Sequence, residues 1–544
     1  MPKRPWWYLN LVGVLGGLLM ALLSLTPSLL PRPALLQGAV SGLSFAVGYA
    51  VGVGLSILVM RFTPWRPTES TQRRVWIGIF VFVIFTASGV GVLALSWQNQ
   101  VRELVDMPPI DVVHSGLFLV GALPAGVLGL LIGRGLRTLY RLITRRTGRV
   151  LSVLITAAAA GVTVALLGTV VLFGMDRIYA ASNAAAEDGV SEPASAYRSA
   201  GPDSAIAWDD LGRHGAAFIA GGPSAREITD LTGVQALDPV RVYAGLASAP
   251  TAEERAALAV SELERTGGFD RDYLVVATAT GSGWLEPQSM DAVEYLHAGN
   301  TAIVSMQYAY TPSWVSFVFD PDAPVAAARV LFEAVERHVR EMPEQDRPRL
   351  LSYGLSLGAH GSQSTFSDLA DLRARTDGAL FVGSPNATPL WRELQAERDP
   401  ASPVWLPVLN DGREVRWFGQ NSDFGALPGP WDTPRVAYMQ HATDPVTWLG
   451  PELLWAAPEW LKPGERGADV SPSMHWIPVV TALQVVIDML MGESVPATHG
   501  HNYGNLVVNG WRAISDDAGL DETALARVQS EIESYADVQP FGGP

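Results

Sequence analysis

The residues best suited to chemistry form a glycine-flanked serine turn in the second half of the chain. Residues 349–362 read RLLSYGLSLGAHGS, so an apolar strand pattern leads into Gly354-Leu355-Ser356-Leu357-Gly358 and then into small residues typical of a helix start. In such a strand–turn–helix setting the serine is raised above the sheet, and the glycines allow the two backbones to approach closely. The GxSxG pattern therefore predicts Ser356 as a nucleophile.

A serine nucleophile of this kind needs an acid and a histidine later in the chain, in that order. Asp444 lies just beyond a predicted strand, in the run HATDPV, and is the expected acid. An Asx turn or helix cap before Pro445 is the alternative role. His499 and His501 lie in the run THGHNYG near the C-terminus. We expect one of them, with His501 preferred, to accept the Ser356 proton while Asp444 fixes its tautomer.

The negative charge that develops on an attacked carbonyl oxygen needs two backbone amides as donors. Leu357, at the predicted helix start, is the first candidate. The run TGSGW at 280–284 follows another predicted strand, and its glycines permit close approach, so Gly281 or Ser282 is the second; a plain flexible turn is the alternative. Two histidines spaced two residues apart, without thiolates or an HExxH pattern, make a weak metal site. We expect no metal and no cofactor.

Short β-rich runs alternate with amphipathic helical runs through the second half of the chain. Near-continuous apolar strands separated by helices are typical of a mostly parallel, doubly wound sheet. Together with the serine turn, this pattern predicts an α/β-hydrolase domain. The expected strands are residues 240–243, 273–278, 301–307, 349–353, 379–382, 415–418 and 436–440.

Charge and composition divide the chain into two unlike parts. Its 544 residues are 48% hydrophobic, carry a net charge of −16 and include no cysteine. Up to Met175 there are fourteen Lys or Arg and four Asp or Glu, whereas the remainder has 24 and 50. The acidic part would repel nucleic acid, so we expect no such partner. The lack of cysteine excludes disulfides, a thiolate nucleophile and thiolate metal sites.

Five apolar stretches precede residue 176, and each is long enough to cross a hydrocarbon core of about 30 Å. Five such runs in succession favour a transmembrane helical bundle over the core of a soluble protein. Because charge is nearly absent from them, we interpret the bundle as an anchor or a lipid-access platform. The stretches are residues 8–30, 34–60, 75–97, 112–132 and 150–175.

The basic residues between these stretches predict the orientation. Lys3 and Arg4 precede the first stretch, four Arg separate the second from the third and six separate the fourth from the fifth; the alternate loops hold only Arg32 and Arg102. By the positive-inside rule the N-terminus is cytoplasmic, and an odd number of spans places the rest outside. We predict a transmembrane domain at 1–175, a juxtamembrane linker at 176–235 and a catalytic domain at 236–544, with the tryptophan-rich run 448–476 as an apolar cap or as core.

The chain also resembles a family of bacterial membrane α/β-hydrolases with an N-terminal multi-span region. The resemblance covers essentially the whole chain, and only two departures stand out near the nucleophile: family members carry Glu at the position of Leu355 and Ser at that of Ala359. The matching stretches are WDDLG at 208–212, ELERTG at 262–267, TGSGW at 280–284, QYAY at 307–310, the turn at Ser356 and HGHNYG from His499.

The resemblance implies hydrolysis of the aminoacyl ester of aminoacyl-phosphatidylglycerol, a membrane lipid, in the outer leaflet of a bacterial cell membrane. An acidic domain surface suits this substrate because it attracts a cationic head group. Three alternatives are carried forward: a lipase or esterase for another envelope lipid, an acyltransferase that uses a hydroxyl in place of water, and a non-catalytic scaffold that retains the fold.

Overall fold

The computed structural model describes residues 9–63, 68–112, 114–183, 189–504, 506–515 and 519–535. It divides into two compact units: a helical unit, Met1–Leu167 with Leu449–Gly492, and a sheet unit, Gly168–Trp448 with Glu493–Pro544. This division differs from the three consecutive regions predicted from the sequence. The reason is that a segment from within the predicted catalytic region, Leu449–Gly492, packs with the N-terminal helices.

The strands of the sheet unit are β1 (Val240–Ala244), β2 (Tyr273–Thr278), β3 (Thr301–Met306), β4 (Arg349–Leu355), β5 (Gly378–Val382), β6 (Val415–Phe418) and β7 (Arg435–Met439). The α-helices of both units are α1 (Leu11–Leu23), α2 (Ala34–Phe62), α3 (Glu69–Leu104), α4 (Ser115–Thr144), α5 (Arg149–Asn183), α6 (Gly212–Ala220), α7 (Ala225–Thr232), α8 (Ala252–Thr266), α9 (Pro287–Leu296), α10 (Ser313–Phe319), α11 (Asp322–Glu341), α12 (Leu357–Gln363), α13 (Leu369–Arg375), α14 (Pro389–Ala396), α15 (Pro445–Trp448), α16 (Val480–Met489), α17 (Leu506–Ser515) and α18 (Glu522–Ser534).

The seven strands form one sheet in the order β1-β3-β2-β4-β5-β7-β6, and every pairing is parallel. Every residue of β1, β3 and β5 is buried. Strands buried on both faces need helices on both sides, and two groups supply them: α11 contacts α8 and α12, while α9 contacts α17 and α18. The predicted parallel sheet of an α/β-hydrolase domain is confirmed, with each strand within two residues of its expected bounds.

Glycine controls the packing of the helical unit, in which α2 contacts both α1 and α4. A Cβ atom at Gly48 would lie 2.3 Å from the carbonyl oxygen of Gly16, and one at Gly38 would lie 2.0 Å from that of Phe118. The three helices therefore touch backbone to backbone. Small residues at helix contacts are typical of helices that pack in membranes, where close approach replaces the hydrophobic effect.

Two described helices, α2 and α4, are long and apolar enough to cross a membrane, and they coincide with the second and fourth predicted stretches. The first stretch is shorter than predicted: α1 has thirteen residues, begins after the Asn10 cap and ends before a turn at Ser24. The third and fifth stretches lie on α3 and α5, where several side chains fall outside the described residues. Lys3 and Arg4, which entered the predicted orientation, also lie outside them.

Candidate functional site

Ser356 occupies the sharp turn between β4 and α12. Its backbone has φ 55° and ψ −122°, a strained conformation for a residue with a side chain, and its amide donates to the Val382 carbonyl at 2.8 Å. A Cβ at Gly354 would lie 2.4 Å from the Gly358 carbonyl oxygen, and one at Gly358 would lie 2.2 Å from that of Thr278. Both glycines are therefore needed, because α12 starts directly against the strand ends.

Asp444 lies just after β7 and is fully buried. Its Oδ2 accepts hydrogen bonds from His501 Nδ1 and from the Tyr503 hydroxyl, both at 2.8 Å, while its Oδ1 accepts from the Val446 amide at 2.8 Å. The last of these bonds is the Asx turn considered as the alternative role for Asp444. The two sets of contacts coexist because each carboxylate oxygen has its own partners.

The histidine bonded to Asp444 is thus His501. Because the carboxylate holds Nδ1–H, Nε2 is the ring nitrogen that can accept a proton. That nitrogen is buried and has no hydrogen-bond partner among the residues the structure describes. His499 lies in the same loop, where its backbone pairs with that of Asn502 across the tip.

Gly383, directly after β5, connects the imidazole to the nucleophile turn. A Cβ at this position would lie 2.4 Å from Cε1 and 2.8 Å from Nδ1 of His501, so the ring lies against the backbone here. The preceding residue, Val382, accepts the Ser356 amide. The Ser356 turn, His501 and Asp444 therefore lie at the same edge of the sheet, where β4, β5 and β7 end.

Hydrogen bonds and ring stacking connect the His501 loop to the Asp444 loop, through residues that were not predicted as part of the site. His441 Nδ1 lies 2.9 Å from the Gly500 carbonyl oxygen, and the Gly500 amide donates to the Thr443 hydroxyl at 3.0 Å. The Tyr503 ring stacks on His441 with 4.1 Å between centroids. The sequence signal for these contacts is only the aromatic residue in the run HGHNYG, since the partners are distant along the chain.

The turn at 280–284 follows β2 and lies beside the start of α12. The Gly281 amide donates to the Tyr308 hydroxyl at 2.7 Å, so this candidate oxyanion donor already has a partner in the protein. The Ser282 amide has none within the described part of the chain. The Leu357 amide stands at the first position of α12, where a helix offers no acceptor. Of the three amides predicted as oxyanion donors, those of Leu357 and Ser282 thus have no hydrogen-bond partner among the described residues, whereas that of Gly281 has one.

Two further carboxyl groups, those of Glu286 and Glu493, shape the electrostatics of the site. Burial would lower the pKa of His501, but the facing Asp444 carboxylate, with help from Glu493 and Glu286, raises that pKa above its ordinary value. Burial raises the pKa of Glu286 to about 7, and its Oε2 accepts a hydrogen bond from Ser289 at 2.6 Å. Burial also raises the pKa of Glu493. A protonated His501 is thus favoured by three surrounding acids.

Burial on its own would raise the pKa of Asp444 as well. The opposing effects of the His501 charge, the hydrogen bonds from His501 and Tyr503 and the Val446 amide lower it instead. Asp444 therefore stays ionised, which suits a group that must stabilise an imidazolium. Among the described residues, no group of three or more His, Cys, Asp or Glu side chains is placed to hold a metal ion.

A parallel sheet with a strained serine at a strand–helix turn, and an aspartate–histidine pair at the same edge, defines the α/β-hydrolase class. Comparison with protein-family models agrees: that of an alpha/beta-hydrolase family matches residues 240–528, and that of the N-terminus of the alpha/beta-hydrolase family matches residues 25–223. The chain belongs to this α/β-hydrolase family, and a hydrolase-type function follows. No curated protein and no solved structure matches the chain.

Proposed function

We propose that this protein is a membrane-bound serine esterase in which Ser356, His501 and Asp444 form the catalytic triad. The observation that supports the proposal is the hydrogen bonding of the two ring nitrogens of His501. Its Nδ1 is held by a buried carboxylate, while its Nε2 is buried without a partner among the described residues, and the ring lies against Gly383, next to the residue that accepts the Ser356 amide. A buried nitrogen left unsatisfied costs free energy, and the role of accepting the serine proton accounts for its presence here.

The reaction proceeds by acyl transfer in two halves. Ser356 Oγ attacks the ester carbonyl and its proton passes to His501 Nε2, while the amides of Leu357 and Ser282 bind the oxyanion. The tetrahedral intermediate collapses, the ester C–O bond breaks and His501 gives its proton to the leaving alcohol. Water then attacks the acyl-serine with His501 as base, which releases the carboxylic acid and restores Ser356.

The proposed substrate is the aminoacyl ester of aminoacyl-phosphatidylglycerol. Beside the family resemblance, two observations support a substrate with an ammonium group. The chain after Met175 is strongly acidic, and Glu286 and Glu493 lie close enough to His501 to raise its pKa. A cationic head group gains electrostatic stabilisation in such surroundings.

The proposed location is the outer face of a bacterial membrane, with the bilayer itself as the partner surface. The helices α2 and α4 support membrane insertion, and the six arginines between the fourth and fifth stretches support a cytoplasmic loop there. With five spans the sheet unit lies on the opposite side. A lipid ester in the outer leaflet is then accessible to an enzyme that never leaves the membrane.

A fluorophosphonate probe tests the esterase proposal because it reacts only with an activated serine. We expect labelling of the full-length protein, loss of labelling in Ser356→Ala and His501→Ala, and retention in His499→Ala. Ser364→Ala is the matched control, since its hydroxyl has no hydrogen-bond partner among the described residues. Folded protein that is not labelled would overturn the proposal and favour the scaffold.

The substrate is tested with vesicles that contain lysyl- or alanyl-phosphatidylglycerol. We expect release of the amino acid, with a loss of about 10⁴-fold or more in Ser356→Ala. Labelling without amino acid release would remove this substrate and leave an esterase for another envelope lipid. Transfer of the aminoacyl group to an added alcohol, in preference to water, would instead identify an acyltransferase.

A further inference from the structure

The helix α16 has its polar and apolar faces reversed relative to a helix on the surface of a soluble protein. It belongs to the helical unit, where it contacts α2. Its three polar side chains, those of Thr481, Gln484 and Asp488, are all fully buried. In contrast, Val486 is 46% exposed and Leu490, which follows the last turn, is 42% exposed.

Two of the buried polar side chains, those of Gln484 and Asp488, form hydrogen bonds with the turn between α1 and α2. Gln484 Nε2 donates to the carbonyl oxygens of Ser24 and Thr26, at 3.1 and 2.9 Å. The Asp488 carboxylate accepts from the Ser28 hydroxyl at 3.1 Å and from the two backbone amides that follow Ser28. The polar face of α16 therefore packs against the turn that joins α1 to α2.

The same turn also supplies a charge for Asp488. Arg32 Nε lies 3.6 Å from Asp488 Oδ1, and both side chains are completely buried. At the start of α16, the Thr481 hydroxyl accepts the amide of Ile477, which precedes the helix, at 2.8 Å. Burial of a carboxylate away from bulk water costs free energy, and here a nearby cation and several hydrogen-bond donors offset that cost.

The outward face of α16 carries no polar side chain. Its remaining outward residues, Leu483, Ile487 and Met489, are partly exposed. A helix of the sheet unit shows the ordinary arrangement: α11 buries Leu331 and Val335 and exposes charged residues such as Glu333. Polar residues that point inward and apolar residues that point outward are instead the pattern of a helix surrounded by lipid.

We propose that α16 is embedded in the lipid bilayer, with its apolar face against acyl chains of the leaflet that meets the α1–α2 turn. The occupant of this face is lipid because α16 packs on α2, whose own outward surface is apolar, as at the 65% exposed Val51. The ten residues of α16 span about 15 Å, about half of a hydrocarbon core of about 30 Å. The helix therefore enters one leaflet and does not cross.

A short helical segment before α16 extends this apolar surface. Residues Pro451–Leu454 form a 3₁₀ turn that contacts α16, and Leu454 and Trp455 at its end are 42% and 66% exposed. Tryptophan with an exposed ring is favoured at the headgroup layer. In this proposal Leu454 and Trp455 lie at the membrane interface. Trp448, Leu453 and Trp460 of the tryptophan-rich run are buried, as the core alternative expected.

Nitroxide accessibility tests the proposal directly, and the cysteine-free chain gives clean single-site labels. Spin labels at Val486→Cys and Leu490→Cys, in full-length protein in phosphatidylethanolamine/phosphatidylglycerol vesicles, should collide often with oxygen and rarely with a polar nickel chelate. Val51→Cys on α2 is the membrane control. Leu237→Cys, at a 50% exposed apolar residue of the sheet unit, is the aqueous control. We expect an oxygen-to-nickel collision ratio several-fold higher at 486, 490 and 51 than at 237.

Frequent collision with the nickel chelate at 486 and 490 would overturn the proposal, as would rare collision with both reagents, which indicates burial against protein. This inference rests on the membrane-bound function proposed above, and the control at 51 separates the two. If the label at 51 collides often with the nickel chelate, membrane insertion of the whole protein is refuted. If the label at 51 is in lipid but those at 486 and 490 are not, only the embedding of α16 is refuted. In the unmodified protein, a lipid-soluble aryl diazirine should label the peptide that contains Leu483–Leu490.

Discussion

The 2.8 Å hydrogen bond between His501 Nδ1 and Asp444 Oδ2 is the contact on which the candidate site depends. The sequence predicts Ser356, Asp444 and a histidine in this order because each lies in a run with recognisable turn chemistry. The choice between His499 and His501 depends on which imidazole points at a carboxylate far away in the chain. That choice required the 2.8 Å contact between His501 and Asp444.

Glu286 and Glu493 were not predicted, since single acidic residues in a chain with 54 of them carry no signal. Their effect on His501 arises only from burial beside it. Glutamates at such positions act through charge, so their contribution is open to a direct test by neutral substitution.

The pH dependence of hydrolysis should report the charge of Glu493. Activity falls at low pH as His501 becomes protonated, and its raised pKa places this fall above the value of about 6.5 for an ordinary histidine. Glu493→Gln removes a negative charge that stabilises the imidazolium, so the acid limb of kcat/KM should move to lower pH. The exposed residue Glu533 provides the control, Glu533→Gln. An acid limb that stays in place or moves upward would contradict the assignment.

At the level of elements, the turn at 280–284 depends on a contact that sequence patterns could not indicate. Its glycines correctly predicted close backbone approach, and Gly281 has φ +52° with Ser313 packed against it. Which amide of the turn can serve as the proposed oxyanion donor depends on Tyr308, because the Tyr308 hydroxyl accepts a hydrogen bond from the Gly281 amide. The strands, by contrast, could be located within two residues because buried parallel strands are continuous apolar runs.

Tyr308→Phe should lower kcat by about tenfold and leave KM nearly unchanged. The substitution removes the hydroxyl that fixes the turn, so the Ser282 amide is less well aimed at the oxyanion, which forms only in the transition state. Initial rates of ester hydrolysis measure both constants, and Tyr310→Phe in the same run serves as the control. An equal loss in both variants, or a rise in KM alone, would show that Ser282 is not the donor.

At the scale of the whole molecule, the sequence indicated a membrane part and a hydrolase part but not how the chain is shared between them. Composition identifies α2 and α4 because length and apolarity are local properties. The assignment of residues 449–492 to the helical unit depends on contacts such as that between Gln484 and Ser24, which join residues far apart in sequence.

Single-cysteine labelling should establish the proposed orientation. A membrane-impermeant maleimide should label Glu253→Cys, an exposed site in the sheet unit, in intact cells, because the proposed orientation places that unit outside. Arg145→Cys, between α4 and α5, should be labelled only after permeabilisation, since arginine-rich loops stay in the cytoplasm. The native chain, which has no cysteine, gives the background. Labelling of both sites in intact cells, or of Arg145→Cys alone, would refute the five-span topology.

The sheet unit consists of two stretches of chain that are separated in sequence, and this affects the order in which its parts are synthesised. A nascent chain that has emerged only as far as Trp448 contains Ser356 and Asp444, but the loop with His501 and the two helices that follow it are still to come. Before the His501 loop is made, the ribosome must synthesise residues 449–492, which pack with the N-terminal helices. Such an incomplete chain holds Ser356 without His501, so the proposed ester cleavage requires that translation has passed the His501 loop.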